Sequence, residues 1–366
     1  MQTTDDPKFV KGLQLCQHFY TECVQPLLAA HFPNVPYSAA RIGHGSDVLG
    51  FDTPQSMDHD WGPKLNLFLR DEDLATLQSE IDWCLRENLP YTIRGFTTNF
   101  GHHDDGTANW AYIEEGPINH GVSFHSVKGY CGEQLNLDPA QALRPVDWLT
   151  LPSQILRTMT AGRVYHDGLG QLEPLRVKLA YYPYNVWLYL LACQWRRISQ
   201  EEHFMGRCGQ VGDELGSRMV AQRLVMDLMN LCFLMAREYA PYIKWFGTAF
   251  AQLPCAPKLT PLFDQILNAK RWTEREPPII EAYSTVAQIH NELILTEPLS
   301  TETVSFYGRP FQVIFGDRFA DALYAKIIDK AVLALPKNIG SIDQFVDSTD
   351  LLSYPSQRVR LRGMYG

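Results

Sequence analysis

The chain has 366 residues, room for two domains with cores of their own. Hydrophobic residues at 45% and charged residues at 20% describe a globular protein rather than a fibrous or disordered one. A net charge of −9 excludes a protein that grips nucleic acid through a broad basic face, although one small basic groove stays open.

The first segment with a clear period is residues 8–31, where Phe9, Val10, Leu13, Leu15, Phe19, Val24, Leu27 and Leu28 recur at helical spacing. A short strand follows at about 38–42, and a second is expected over 58–69, with Leu65, Leu67 and Leu69 alternating as on a half-buried strand. Asp71-Glu72-Asp73 marks an acidic helix start, Leu74, Leu77, Ile81 and Leu85 supply its apolar stripe, and Asn88-Leu89-Pro90 ends it. Strands are expected at 91–96 and 120–127, with residues 97–119 between them as a polar insertion.

From about residue 175 the pattern becomes helical, through 175–194, 215–238, 259–268, 278–295 and 317–334. The expected architecture is α+β: a small mixed-sheet core over 1–150, a helical bundle over 151–335, and a tail over 336–366 that docks or stays partly disordered. No apolar run reaches 18 residues, so no membrane span is expected. The acidic start, Thr3-Thr4-Asp5-Asp6, is unlike a signal peptide. Eight cysteines without C-x-x-C spacing read as free thiols, and together these features point to the cytoplasm.

One stretch concentrates chemistry: Gly45-Ser46, then Ser56-Met57-Asp58-His59-Asp60-Trp61-Gly62-Pro63. On an extended strand, residues i and i+2 share a face, so Asp58 and Asp60 converge while His59 points away. Two carboxylates that close repel each other unless a cation lies between them, and oxygen ligands suit Mg²⁺. Gly45-Ser46 offers a backbone without a Cβ, and a hydroxyl, to a phosphate.

Gly-Ser, a gap of about a dozen residues and Asp-x-Asp resembles the signature of the nucleotidyltransferase superfamily, to which DNA polymerase beta and kanamycin nucleotidyltransferase belong. The longer phrase from Gly45 to Pro63 looks like one uncharacterised bacterial branch of it. The resemblance implies an enzyme that moves an NMP from an NTP, ATP by default, to a hydroxyl of a small-molecule acceptor with release of pyrophosphate. It implies Asp58 and Asp60 as catalytic metal ligands, two Mg²⁺ ions, and Gly45 and Ser46 at the triphosphate. Rival implications are a macromolecular acceptor, protein or tRNA, and a non-catalytic nucleotide-binding module.

The superfamily's third carboxylate comes from a neighbouring strand, here 121–127, where the inward position holds Ser123 or His125. Glu114, Glu115, Asp104 and Asp105 are substitutes, and His125 is the alternative general base. Gly101-His102-His103-Asp104-Asp105-Gly106 reads as a solvated loop, with a lid role as its functional alternative. Asp213 and Glu214 read either as a helix start complementing the dipole or as acceptor-binding acids. Lys244, at the far end of that helix, is a candidate phosphate partner.

Overall fold

The structure, a computed structural model, describes residues 7–102 and 108–366. It divides into two compact units. The first runs to Ala142 and resumes over Ile155–Ala180; the second comprises Leu143–Gln154 and Tyr181–Gly366. The expected boundary at 150 therefore corresponds to no single crossing, because the chain returns to the first unit to add a strand.

The first unit is built on a four-stranded mixed sheet: β1 (Tyr37–Arg41), β2 (Lys64–Leu69), β3 (Gly121–His125) and β4 (Arg163–Asp167), in the order β3-β2-β1-β4. β1 is antiparallel to both β2 and β4, and β2 is parallel to β3. Leu65, Leu67 and Leu69 point to one face, as their alternation requires, and are buried with Ala39 and Val122. Leu15, Phe19 and Val24 of the first helical segment, and Ile81 and Leu85 of the Asp71–Asn88 helix, cover that face. The first segment is helical over Gly12–Phe19, π-helical over Tyr20–Val24 and helical again over Gln25–His31. The strand expected at 91–96 is instead a tight hairpin outside this sheet, Thr92–Ile93 with Phe96–Thr97, and the insertion after it carries another, Phe100–His102 with Ala108–Trp110.

The second unit is helical, apart from a short hairpin of Val304–Ser305 with Gln312–Val313. Its longest helices are Tyr184–Glu201, Glu214–Ala236 and Trp272–Glu292. Glu214–Ala236 is long and apolar enough to cross a membrane by length and composition alone. Its apolar residues are those of a core helix, however: Leu224, Leu228 and Leu231 are fully buried, and Asp227 bonds Arg197 and Gln194 within the unit. Residues 336–366 are folded into this unit, with Tyr365 buried and donating to Gly340 O at 2.8 Å. All eight cysteines are free thiols.

Candidate functional site

The first site element is the turn that leaves β1. Gly43 and Gly45 have φ of +91° and +143°, backbone that L side chains rarely adopt. Arg41 clamps this turn from inside: its Nε and Nη2 reach Asp47 at 2.7 and 2.9 Å, and Nη2 also donates to His44 O at 3.1 Å. Both ion-pair partners are buried. Burial by itself lowers the Arg41 guanidinium, but Asp47 outweighs it and holds the cation above its ordinary value. A Cβ on Gly45 would lie 2.1 Å from Asp47 Oδ1 and 2.6 Å from Arg41 Nη2. Glycine at 45 is therefore required by this internal pair whether or not a phosphate approaches. Ser46, half-buried, opens a one-turn helix, Ser46–Leu49.

The acid pair is not on a strand. Asp58 ends a 3₁₀ turn, Pro54–Asp58, Asp60 has φ of +53°, and β2 begins only at Lys64. The same-face expectation for residues i and i+2 is thereby corrected: a loop, not a pleat, presents Asp58 and Asp60. Gly62 and Pro63 stand between the acids and the strand and delay its start. Both carboxylates are about half exposed, with side chains 52% and 55% accessible, so neither supports the core. Asp58 Oδ1 lies 2.9 Å from His59 Nδ1, and Asp60 Oδ1 lies 3.6 Å from Lys64 Nζ.

Trp61 anchors the loop. Its indole donates to Asp52 at 3.1 Å, and its carbonyl accepts from Trp110 at 3.0 Å. Asp52 is itself buried, taking the Gly12 N–H at 2.7 Å and Lys11 at 3.2 Å.

The β1–β2 register brings these two parts together. Ala40 pairs with Asn66, so β1 runs into the glycine turn at the end of the sheet where β2 starts and where the acid loop arrives. Lys64 sits at that junction. Burial holds its ammonium below the ordinary value, Arg41 adds to that, and Asp60 and Asp47 oppose it.

β3 supplies a third part. Ser123 pairs with Asn66, and His125 with Phe68. Asn66 Oδ1 accepts the Ile42 N–H at 3.1 Å, and its Nδ2 donates to Ser123 Oγ at 3.1 Å. His125 Nε2 lies 3.0 Å from the same hydroxyl, and its Nδ1 is 3.9 Å from Glu133. Burial lowers the His125 imidazolium while Glu133 raises it, with burial the larger effect. No acid stands at this place on β3. Glu114 and Glu115 lie in an exposed bend, and Asp104, Asp105 and the histidine loop beyond His102 lie outside the described residues. Among the described residues, no set of three or more His, Cys, Asp or Glu converges as metal ligands.

The remaining candidates lie in the second unit. Asp213 caps the Glu214–Ala236 helix, accepting the Gly216 N–H at 2.8 Å. Glu214 bonds Arg275, which is fully buried, and accepts the Trp272 N–H at 3.2 Å. Asp213 thus caps its own helix, and Glu214 ties that helix to the Trp272–Glu292 helix of the same unit. Lys244 is exposed, with Nζ 5.2 Å from the Trp245 ring centroid. Lys64, Asn66, Asp52, Tyr130 and Glu133 were not singled out from sequence. Only Lys64 carried a signal there, as a cation four residues from an acid pair.

The fold is thus α+β, with a small mixed sheet and its helices in one unit and a helical second unit. Residues 148–246 match the family described as a domain of unknown function (DUF4037). Among solved structures, a nucleotidyltransferase-like protein from Exiguobacterium sibiricum 255-15 is similar at 11% identity, over 77% of this chain and 78% of that one, with a TM-score of 0.32. No curated protein matches the chain.

Proposed function

We propose that the first unit is a Mg²⁺-dependent nucleotidyltransferase core, moving an NMP from an NTP, ATP by default, to a hydroxyl of a small acceptor and releasing pyrophosphate. The observation that carries this reading is the meeting of the glycine turn, Lys64 and two exposed carboxylates at one end of the sheet. In this reading the turn and Ser46 receive phosphate oxygens, and Lys64 offsets their charge. Two exposed carboxylates suit one hydrated Mg²⁺ whose shell is completed by water and phosphate. When bound, the ion neutralises charge on the transferring phosphoryl group. A second ion needs another acid, for which the sequence offers Asp104, Asp105, Glu114 and Glu115. His125, held neutral by burial, takes the proton from the attacking hydroxyl. A cytoplasmic location accords with eight free thiols.

The test is turnover of each NTP with Mg²⁺ and a cell extract, comparing wild type with Asp58→Asn and Asp60→Asn. Both variants are expected to melt like wild type, because the side chains are half exposed, and to lose pyrophosphate release. Unchanged release in either variant refutes the assignment. Label arriving on a protein or a tRNA rather than a small molecule would redirect the acceptor. The lack of an acid on β3 favours one second reading, a module that binds nucleotide without turning it over; it predicts NTP binding that survives in the absence of any release.

A further inference from the structure

β3 is an edge strand, and its last residues run straight into a helix, Val127–Leu135, whose first turn is capped by Ser126 Oγ accepting the Gly129 N–H at 3.0 Å. That tight connection fixes the helix against the strand it leaves. Tyr130 and Glu133, three residues apart on one helical face, both turn toward His125. The Tyr130 ring lies 4.9 Å from the imidazole, edge-on, and Phe68 approaches it at 5.7 Å. The imidazole is thus held by rings on two sides, with Glu133 beyond Nδ1 and Ser123 at Nε2.

The hydrogen bonds around Ser123 place its hydroxyl against the imidazole. Oγ accepts from Asn66 Nδ2, so its own O–H is free to donate. Two acceptors compete: His125 Nε2 at 3.0 Å and Leu65 O at 3.4 Å. The imidazole contact is the shorter, and the tautomer of His125 sets which of the contact's two atoms donates. In the tautomer with its proton on Nδ1, which lies 3.9 Å from Glu133, the Nε2 lone pair receives the hydroxyl proton. A hydroxyl in hydrogen-bond reach of a base, with an acid 3.9 Å beyond that base, has the parts of an activated nucleophile.

The hydroxyl also belongs to the glycine-turn site. Asn66 bridges Ser123 to the Ile42 N–H, directly before the turn, and a Cβ on Gly43 would fall 2.4 Å from Tyr130 Oη.

We propose that Ser123 is a nucleophile and carries the NMP as a covalent nucleotidylyl-serine before it passes to an acceptor hydroxyl; this rests on the nucleotidyltransferase reading above. In the step, Ser123 Oγ attacks the α-phosphorus. The Pα–Oγ bond forms, the bond from Pα to the bridging oxygen of pyrophosphate breaks, and the Oγ proton passes to His125 Nε2. Pyrophosphate leaves with the electron pair of the broken bond. No oxidant or reductant is involved. In discharge the acceptor oxygen attacks the α-phosphorus and its proton passes to water, the Pα–Oγ bond breaks, and the His125 imidazolium gives its proton to the departing Ser123 Oγ.

The experiment incubates the full-length protein with each α-labelled NTP and Mg²⁺, without acceptor. It follows pyrophosphate, denatures the protein, and maps bound label by mass spectrometry. The expected result is a pyrophosphate burst of one per chain and one nucleotidyl group on Ser123. Ser123→Ala should remove the label, and His125→Gln should slow its appearance roughly 10²-fold or more. Pyrophosphate release and acceptor labelling with no label on the protein, or with label on another residue, overturns the inference and leaves the nucleotidyltransferase reading standing. No turnover of any NTP by wild type, with or without extract, takes both down. The mapping is made on wild-type protein, so a variant that fails to fold does not decide it.

Discussion

Gly45→Ala tests how the site's turn is built. At φ +143° and ψ 142° an alanine sits in backbone space that is nearly closed to L residues, a strain of about 1–3 kcal/mol. Its Cβ then meets two atoms that cannot swing away, Asp47 Oδ1 at 2.1 Å and Arg41 Nη2 at 2.6 Å, both in buried side chains. Admitting the methyl group means opening the Arg41–Asp47 pair, and disrupting a buried pair costs about 3–5 kcal/mol. The two contributions reach about 4–8 kcal/mol if the turn does not relax, a large part of the ~5–15 kcal/mol that holds an ordinary domain together. Gly50→Ala is the matched control. It too has positive φ, +77°, but nothing lies within 4 Å of its added Cβ, so it bears only left-handed strain of about 1–2 kcal/mol. Urea unfolding followed by far-UV circular dichroism should therefore separate the two variants by at least ~2 kcal/mol. Gly45→Ala within about 1 kcal/mol of Gly50→Ala would refute the clamp. A loss of NTP affinity in a Gly45 variant consequently has to be read against its folding before it says anything about phosphate.

The parts of this fold that were legible in the sequence are those fixed by local chemistry. Leu65, Leu67 and Leu69 show their period directly, and Asp71-Glu72-Asp73 with Asn88-Leu89-Pro90 bracket a helix that spans Asp71–Asn88. β4 was missed because Arg163–Asp167 is short and half-buried, without an apolar alternation; it becomes a strand by pairing with the open edge of β1. The acid pair was found as a motif and misplaced as geometry, since a left-handed Asp60 followed by Gly62 and Pro63 breaks the pleat. The partners of His125 were out of reach for a different reason. Asn66, Ser123 and Glu133 meet through strand register and helix packing, and neither leaves a mark in the spacing of any one segment.

Two further predictions concern the second unit. Asp213→Ala removes one helix cap and should cost about 1 kcal/mol, whereas Glu214→Gln leaves the fully buried Arg275 without its counter-charge. Because Glu214 is one-third exposed, that loss is discounted to about 2–3 kcal/mol; equal melting points for the two variants contradict the assignment. The last prediction is a pH dependence set by Glu202. This carboxylate is buried and accepts the N–H groups of Ile314 at 2.7 Å, Phe315 at 3.1 Å and Gly316 at 3.3 Å. Those bonds favour the ionised form, yet burial prevails and raises the group from 4.5 to about 7. Between those values the folded chain holds a proton that the unfolded chain has released, so stability falls as pH rises through the interval and levels off above it. The span corresponds to at most about 3 kcal/mol. Asp343, buried and raised from 3.8 to about 6, acts with the same sign but finishes lower, whereas burial lowers His290 from 6.5 to about 4 and so acts with the opposite sign up to pH 6.5; the share of Glu202 is therefore the difference between wild type and Glu202→Gln. Unfolding measured at intervals from pH 5 to 8 should show wild type losing stability relative to Glu202→Gln as pH rises to about 7. A wild type whose stability relative to Glu202→Gln is the same or greater at pH 7.5 than at pH 6 means the carboxylate is ionised throughout and its three N–H donors outweigh its burial.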